Sequence, residues 1–369
     1  MQWRDELTRR FPALAKLGGH CYVVGGAIRD LLLGRDPADA DLACADPLAA
    51  ARTIRNRVIR LGDREQFSAY RVVDGEHMYD FAELVGGNIE TDLARRDFTM
   101  NAMAVDLMHD ALLDPHHGQR DMALRVVRMV RASNFDDDPL RMLKGVRLAV
   151  TCDFAIEPET LEAIRARAPR IVEVAAERVT YELSLILSAG RLRSAIDLLQ
   201  RTGLAEPLGL RVRASDVDDV SVAGAYALLV EDPRMHAERW RWSVDLLRDV
   251  LALQRLVEQH DRIALYDAGE AIARQLPAVL RALGRDDRLD LPDFATRTLL
   301  TGDEIAALAG IAPGQELGRI KRALLEAQLR EEVTTREEAE RYVTSRAWGA
   351  SPSVTASTSR PPRPRSRAR

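Results

Sequence analysis

The chain has 369 residues, of which 46% are apolar and 30% charged, enough for two or three domains around a sizeable core. Its net charge of −4 announces no nucleic-acid partner in bulk. The cysteines, Cys21, Cys44 and Cys152, are odd in number and show no CxxC spacing, which argues against a disulfide framework or zinc site and fits a reducing cytosol. The opening "MQWRDELTRR" has no apolar h-region, and no run reaches ~18 uninterrupted apolar residues, so a cytoplasmic chain with no membrane partner is expected.

Residues 5–17 have the pattern of a helix. "HCYVVGG" reads as a short buried strand ending in a glycine turn, and "AIRDLLLG" as a helix closed by Gly34. "ADLAC" is a second strand. "DPLAAARTIRNRV" is a helix with Asp46 as N-cap and Pro47 at the first helical position. "VIRLGD", "AYRVVDG" and "HMYDFAELV" are strands, the last two joined by a hairpin at Asp74-Gly75. Helix and strand therefore alternate and then give way to a meander, a mixed sheet of the α+β class. From about residue 136 the apolar spacing stays helical through "DPLRMLKGVRLAV", a long run broken at Pro169, "RLRSAIDLLQ", "WSVDLLRDVLALQRLVEQ", "AGEAIARQLPAVLRAL", "TGDEIAALAG" and "GQELGRIKRALLEAQLR". The final "SRPPRPRSRAR" carries five arginines and no acid, and with "SPSVTASTS" before it reads as a disordered basic tail.

Four stretches carry candidate chemistry. Asp39 and Asp41 stand two apart on a strand, so both carboxylates face one way and repel unless a cation lies between them. Mg²⁺ accepts one or two carboxylates together with substrate phosphate oxygens, and Asp80 on a later strand could add a third. A polar loop is the plain alternative. Gly25 and Gly26 end a strand and open a helix, which lets backbone N–H groups approach a phosphate, with Arg29 one turn on; a tight turn would also explain them. In "LARRDFTMNAMAVD", Asp97 and Asn101 can bond hydroxyls and Arg95 and Arg96 can hold phosphates. Asp97 or Thr99 could instead cap a helix, although two arginines oppose the dipole at a helix start. In "FDDDPLRMLKGVRLAV", Asp138 and Arg141 would share a helix face and pair acceptors with donors, the complement of a cytosine or adenine edge, or else form an ordinary i, i+3 ion pair. A fifth stretch, "AERVTYEL", reads as a structural ion-pair cluster of Glu177, Arg178 and Glu182. His260-Asp261 is a lone pair without a metal set around it.

Taken in this order, the motifs resemble the class II tRNA nucleotidyltransferase and bacterial poly(A) polymerase superfamily. "VVGGAIRDLLLGRDPADADLA" looks like its Gly-Gly-x-x-Arg-Asp and Asp-x-Asp motif, and "ARRDFTMNAMA" like its ribose-reading motif. "LLDPHHGQRDMALRVVRMV" resembles the segment closing its head. "DDPLR" looks like its base-reading Glu-Asp-x-x-Arg motif with Asp137 first, and "AERVTYEL" like its last neck motif.

The resemblance implies a head over 1–130 that carries catalysis and a helical neck over 131–195 that selects the base. It further implies a helical body and tail over 196–346 that bind tRNA, followed by the basic tail over 347–369. It implies that Asp39 and Asp41 hold catalytic Mg²⁺, that Gly25, Gly26 and Arg29 seat the triphosphate, and that Asp97, with Arg96 and Asn101, reads the ribose. Asp138 and Arg141 would then choose CTP or ATP, and the partner would be the 3′ end of tRNA. Lys144 stands where the family usually has Arg, keeping the charge without the bidentate fork.

Bacterial poly(A) polymerases carry a Gly followed by two basic residues and Phe on the strand after Asp-x-Asp. Here "RLGDREQFSAYRV" has Asp63 after the glycine, which counts against that member. The C-terminal Gly-Asp, Pro-Gly and Leu-Gly-Arg marks resemble the tail of tRNA nucleotidyltransferases. Only "FAELVGGNIETDLA" lies between Asp80 and Arg95, where CCA-adding members carry a longer flexible loop. That shortening resembles members that add only CC and leave the last adenosine to a separate A-adding enzyme. A non-catalytic RNA-binding relative would have lost the carboxylates that are present here.

Overall fold

The computed structural model describes residues 2–17, 21–61, 69–211, 218–346 and 348. Helix α1 (Trp3–Arg10) is shorter than its apolar pattern predicts. Pro12 has no N–H to donate and disfavours helical backbone at Phe11, so the chain continues as a 3₁₀ turn over Pro12–Lys16. Strand β1 (Cys21–Val24) then leads into Gly25, which has a φ of 76° and starts α2 (Gly26–Leu32). Strand β2 (Asp39–Cys44) follows, then α3 (Pro47–Ile54), whose first turn is capped by Asp46 accepting the Ala49 N–H at 2.9 Å.

The remaining strands are β3 (Ile59–Leu61), β4 (Ala69–Asp74), β5 (His77–Glu83), β6 (Ala104–Asp106) and β7 (Ala111–Leu113). They form one mixed sheet of order β3-β4-β5-β2-β1-β6-β7, in which β2 and β5 are parallel and the other neighbours antiparallel. The α+β class predicted from the pattern is the one observed. Because β1 and β2 are antiparallel with Val24 opposite Asp41, the glycine end of β1 lies beside the aspartate end of β2. One face of the sheet is covered by α4 (Ile89–Ala94), which joins Leu84, Ile89 and Leu93 to Val24, Ala43, Ala102 and Ala104 in a buried cluster. Asp39 and Asp41 share the face of Ala43.

Beyond α5 (Gly118–Ala123), a two-residue strand β8 (Val126–Val127) pairs in parallel with β9 (Ala155–Ile156). Between them stand α6 (Asn134–Asp137) and α7 (Leu140–Cys152), with α8 (Pro158–Arg167) and α9 (Ala176–Leu187) after them. Pro169 falls in the 3₁₀ segment Ala168–Glu173 that separates α8 from α9. Gly145 on α7 is needed for contact: a Cβ there would lie 2.7 Å from Cζ of Phe98, the residue after Asp97. Phe98 also meets Phe135 with ring centroids 6.0 Å apart. Apolar packing thus fixes the neck helix against the segment that carries the Arg-Arg-Asp motif.

Helices α10 (Leu192–Arg201), α11 (Ala205–Leu208), α12 (Val222–Leu229), α13 (Pro233–Trp240) and α14 (Val244–Glu258) continue the same unit. The α13 helix was not anticipated, although Asp232-Pro233 repeats the cap signature of Asp46-Pro47, and Asp232 accepts the N–H groups of Arg234 and Met235. His236 on α13 is buried among Tyr226, Trp240 and Trp242; burial, with the nearby Arg239 charge, pushes its pKa down to about 4.

A second compact unit is formed by Glu258–Arg274 with Arg288–Arg369. Its described core gathers Leu300, Ile305, Ile320, Leu324, Ala327, Val333, Ala339 and Val343 from three helices, Gly302–Ala309, Gln315–Leu329 and Arg336–Thr344. The first and last of these open with capping boxes, Thr301 with Glu304 and Thr335 with Glu338. Asp261 of the His260-Asp261 pair caps the helix Arg262–Ala268. No described helix is long and apolar enough to cross a membrane. The basic tail over 347–369 lies outside the described residues apart from Trp348, as does Asp63 in the strand used to weigh poly(A) polymerase.

Candidate active site

The separate motifs of the head meet at Gly25. A Cβ placed there would stand 2.8 Å from Nη1 of Arg96, 3.7 Å from the carbonyl of Asn101 and 3.9 Å from Oδ2 of Asp41. The absent side chain and the left-handed turn together let an arginine and a catalytic-type carboxylate close on one backbone position. Arg96 is steadied by Asp92, whose Oδ2 accepts from Nε and Nη2 at 3.2 and 3.0 Å, leaving Nη1 directed at the glycine. Arg29, on α2, donates from Nη1 to Oδ1 of Asn101 at 2.7 Å and is held by Asp30 through Nε and Nη2. Asn101 in turn donates from Nδ2 to Oδ1 of Asp97 at 3.0 Å. Asp97 takes only the adjacent Phe98 N–H besides, so it orders this turn rather than capping a helix.

Asp39 and Asp41 are half-buried on β2. Burial pushes the Asp41 carboxyl up to about 6; Asp39 and Asp80 push the same way, against the cations of Arg96 and Lys144. Asp39 is also raised, by burial and then by the charge of Asp80, with Arg71 opposing. Two anions that both resist ionisation on one face form a site electrostatically short of positive charge. Carboxylate oxygens are the donors a hard divalent cation takes, so the residues present fit Mg²⁺. Asp80 lies opposite Asp41 in the sheet register, but both of its oxygens are engaged by Arg71, Nε to Oδ1 at 2.7 Å and Nη2 to Oδ2 at 2.6 Å. Among the described residues, no three His, Cys, Asp or Glu side chains converge as a metal group. The third carboxylate suggested by the strand pattern is therefore occupied by an arginine.

The neck departs from the expected geometry. Asp138 precedes α7 in extended backbone (φ −146°, ψ 97°), so it does not share a helix face with Arg141. Its Oδ2 accepts from Nη2 of Arg178 at 3.0 Å, while Arg141 donates from Nη1 to the Asn134 carbonyl at 2.9 Å. Asn134 also donates to the Ala94 and Arg96 carbonyls, linking the neck to the Arg-Arg-Asp turn. The expected cluster of Glu177, Arg178 and Glu182 is not internal to α9 either. Arg178 reaches Asp138, and Glu182 accepts from Nε of Arg147 on α7 at 2.8 Å. Arg71 and Arg178 are thus site residues that pattern alone did not single out. Arg178 sat inside a recognised motif, whereas Arg71 gave no local signal.

Residues 21–86 and 83–128 match the model of the Poly A polymerase head domain, and 153–210 that of the probable RNA and SrmB-binding site of polymerase A. The CC-adding tRNA nucleotidyltransferase of Geobacter sulfurreducens is 31% identical, over 90% of this chain and 93% of that protein. This chain belongs to the tRNA nucleotidyltransferase/poly(A) polymerase family. A CCA-adding enzyme of Streptococcus pyogenes serotype M2 is 27% identical over 91% of this chain and 96% of its own. Among solved structures, the Bacillus stearothermophilus CCA-adding enzyme in complex with CTP superposes with a TM-score of 0.72 at 25% identity, covering 92% of this chain and 96% of that one. The Thermotoga maritima CCA-adding enzyme complexed with tRNA shares the family fold at a TM-score of 0.70 and 21% identity, over 92% and 95% of the two chains.

Proposed function

We propose that this family member adds C and A nucleotides from CTP and ATP to the 3′ end of tRNA without a nucleic-acid template. The observation that carries this is the meeting at Gly25 of the phosphate-turn, Asp-x-Asp and Arg-Arg-Asp motifs, in a chain whose relatives are named for CC and CCA addition. In this assignment the head holds catalysis, the neck chooses the base, and the body and tail hold tRNA.

The backbone of Gly25 and Gly26, with Arg29 and Arg96, seats the triphosphate. Asp97, ordered by Asn101, accepts from the ribose hydroxyls. Asp138 and Arg141 present acceptors and donors to the base edge. Asp39 and Asp41 hold Mg²⁺, which lowers the pKa of the attacking hydroxyl and offsets charge on the leaving group. The 3′-oxygen of tRNA bonds to the α-phosphorus as its proton goes to solvent. The bond from that phosphorus to the β-bridging oxygen breaks, and pyrophosphate leaves with the electron pair. Positioning and electrostatics supply the acceleration, with no covalent intermediate on the protein.

A stop at CC is favoured by one feature. From Glu83 to Arg95 the chain is a packed connector, a 3₁₀ turn over Val85–Gly87 and then α4, with Leu84, Ile89 and Leu93 in the core. It leaves no length for a mobile loop beside the site. The test is to offer CTP, ATP or both, with Mg²⁺, to a tRNA transcript ending at its discriminator base and to read the 3′ end at nucleotide resolution. Growth by CC or CCA supports the assignment, and CC even with ATP present identifies the CC-adding type. A long A ladder would reassign the chain to poly(A) polymerase, and no growth would leave an RNA-binding relative.

A further inference from the structure

Tyr181 on α9 is 64% exposed and has no ring or hydrogen-bond partner among the described residues. Beside it opens a cavity of about 330 Å³ lined by Leu140, Lys144, Glu177, Arg178, Tyr181 and Glu182. Two of these residues tie the cavity to the chemistry. Arg178 holds the base-reading Asp138, and Lys144 is close enough to Asp41 for its charge to act on that carboxyl. The cavity therefore adjoins both ends of the nucleotide site without containing its carboxylates. Glu182 is already neutralised by Arg147, and Arg178 by Asp138, which leaves Lys144 as its unpaired cation. Glu177 offers acceptors to hydroxyl or amino donors. An aromatic face flanked by a guanidinium and an ammonium is the surface on which an unpaired nucleotide stacks.

We propose that this cavity seats the 3′-terminal nucleotide of the tRNA, with its base stacked on Tyr181 and its phosphate near Lys144. The inference rests on the proposed transfer to tRNA, because the incoming nucleotide occupies the Gly25, Asp97 and Asp138 positions and the acceptor end needs a place of its own within reach of Asp41. Tyr181 is a positioning residue in this account, and its exposure means that its removal leaves the fold intact.

The test uses the full chain and a tRNA transcript carrying 2-aminopurine at its 3′ terminus, whose fluorescence is quenched by stacking. Without nucleotide, the wild-type protein should quench the probe. Tyr181→Ala should lose the quench while its melting temperature is unchanged, and Tyr181→Trp should keep it. In transfer assays Tyr181→Ala should raise KM for tRNA by ~10-fold and leave KM for CTP unaltered, as expected for one lost stacking contact. Equal quenching by wild type and Tyr181→Ala, or a rise in KM for CTP alone, overturns the proposal. If the wild-type protein transfers nothing, the functional assignment fails by itself, and the quench still decides whether Tyr181 stacks the terminal base.

Discussion

Asp41 on β2 and Asp136 on α6 are both carboxylates in acid-rich stretches of the same compact unit, and their surroundings push them in opposite directions. Arg167 and Arg170 donate three hydrogen bonds to Asp136, at 2.8 to 3.2 Å, and hold its carboxyl below the usual range. Asp41 has its cations at a distance and two acidic neighbours on its own face, and burial raises it to about 6. The neck has matched its acids with arginines, as Asp138–Arg178 and Glu182–Arg147 also show. The head has matched only Asp80, through Arg71, and left Asp39 and Asp41 short of positive charge. An unbalanced pair costs stability in the free protein, so it points to a ligand that supplies the missing charge. A balanced pair points to structure or to orientation of a neighbour.

The largest effect that could break this contrast is on transfer. Asp41→Asn should lower single-turnover transfer from CTP by ~10³-fold or more, on the scale of losing a preorganised transition-state charge partner, with tRNA binding retained. Comparable transfer by the variant would move the catalytic centre elsewhere. In the neck, Arg147→Met leaves the buried Glu182 without its partner and should cost about 3 kcal/mol in urea unfolding, while tRNA transfer per folded molecule persists. A loss under 1 kcal/mol there would mean that the ion pair is not structural.

Acidity sharpens the comparison further. Because the folded pKa of Asp41 lies above its ordinary value of 3.8, protonation favours the folded state. Its contribution is fully present below pH 3.8 and is lost as pH rises through about 6. Without divalent ions, the melting temperature of wild type relative to Asp41→Asn should therefore fall across that window, and saturating Mg²⁺ should restore it. A flat difference would deny the electrostatic strain. The smallest effect belongs to Asp136→Asn. Its exposed ion pairs should be worth about 0.5 kcal/mol or less in the same unfolding experiment, with activity unchanged.

What could be read from the chain follows the range of the interactions. The Val-Val-Gly-Gly turn, the Asp46-Pro47 cap and the alternation around Asp39 and Asp41 are set within a few residues, and each appears where its local chemistry requires. Asp138 differs because Pro139 starts α7 after it, which turns an expected i, i+3 pair into a contact with Arg178 forty positions away. Arg71 could not be assigned to Asp80 without the β4–β5 register. The body helices around His236 were hard to read because their core mixes Tyr, His and Trp with aliphatic residues, which blurs the apolar period.

The central claim is that the head carboxylates, and not those of the neck, hold the divalent ion. Mn²⁺ binding followed by electron paramagnetic resonance, with a non-hydrolysable CTP analogue present, tests it directly on wild type, Asp41→Asn and Asp138→Asn. The account predicts that Asp41→Asn loses the tight ion while Asp138→Asn keeps it. Equal Mn²⁺ binding by wild type and Asp41→Asn would contradict it.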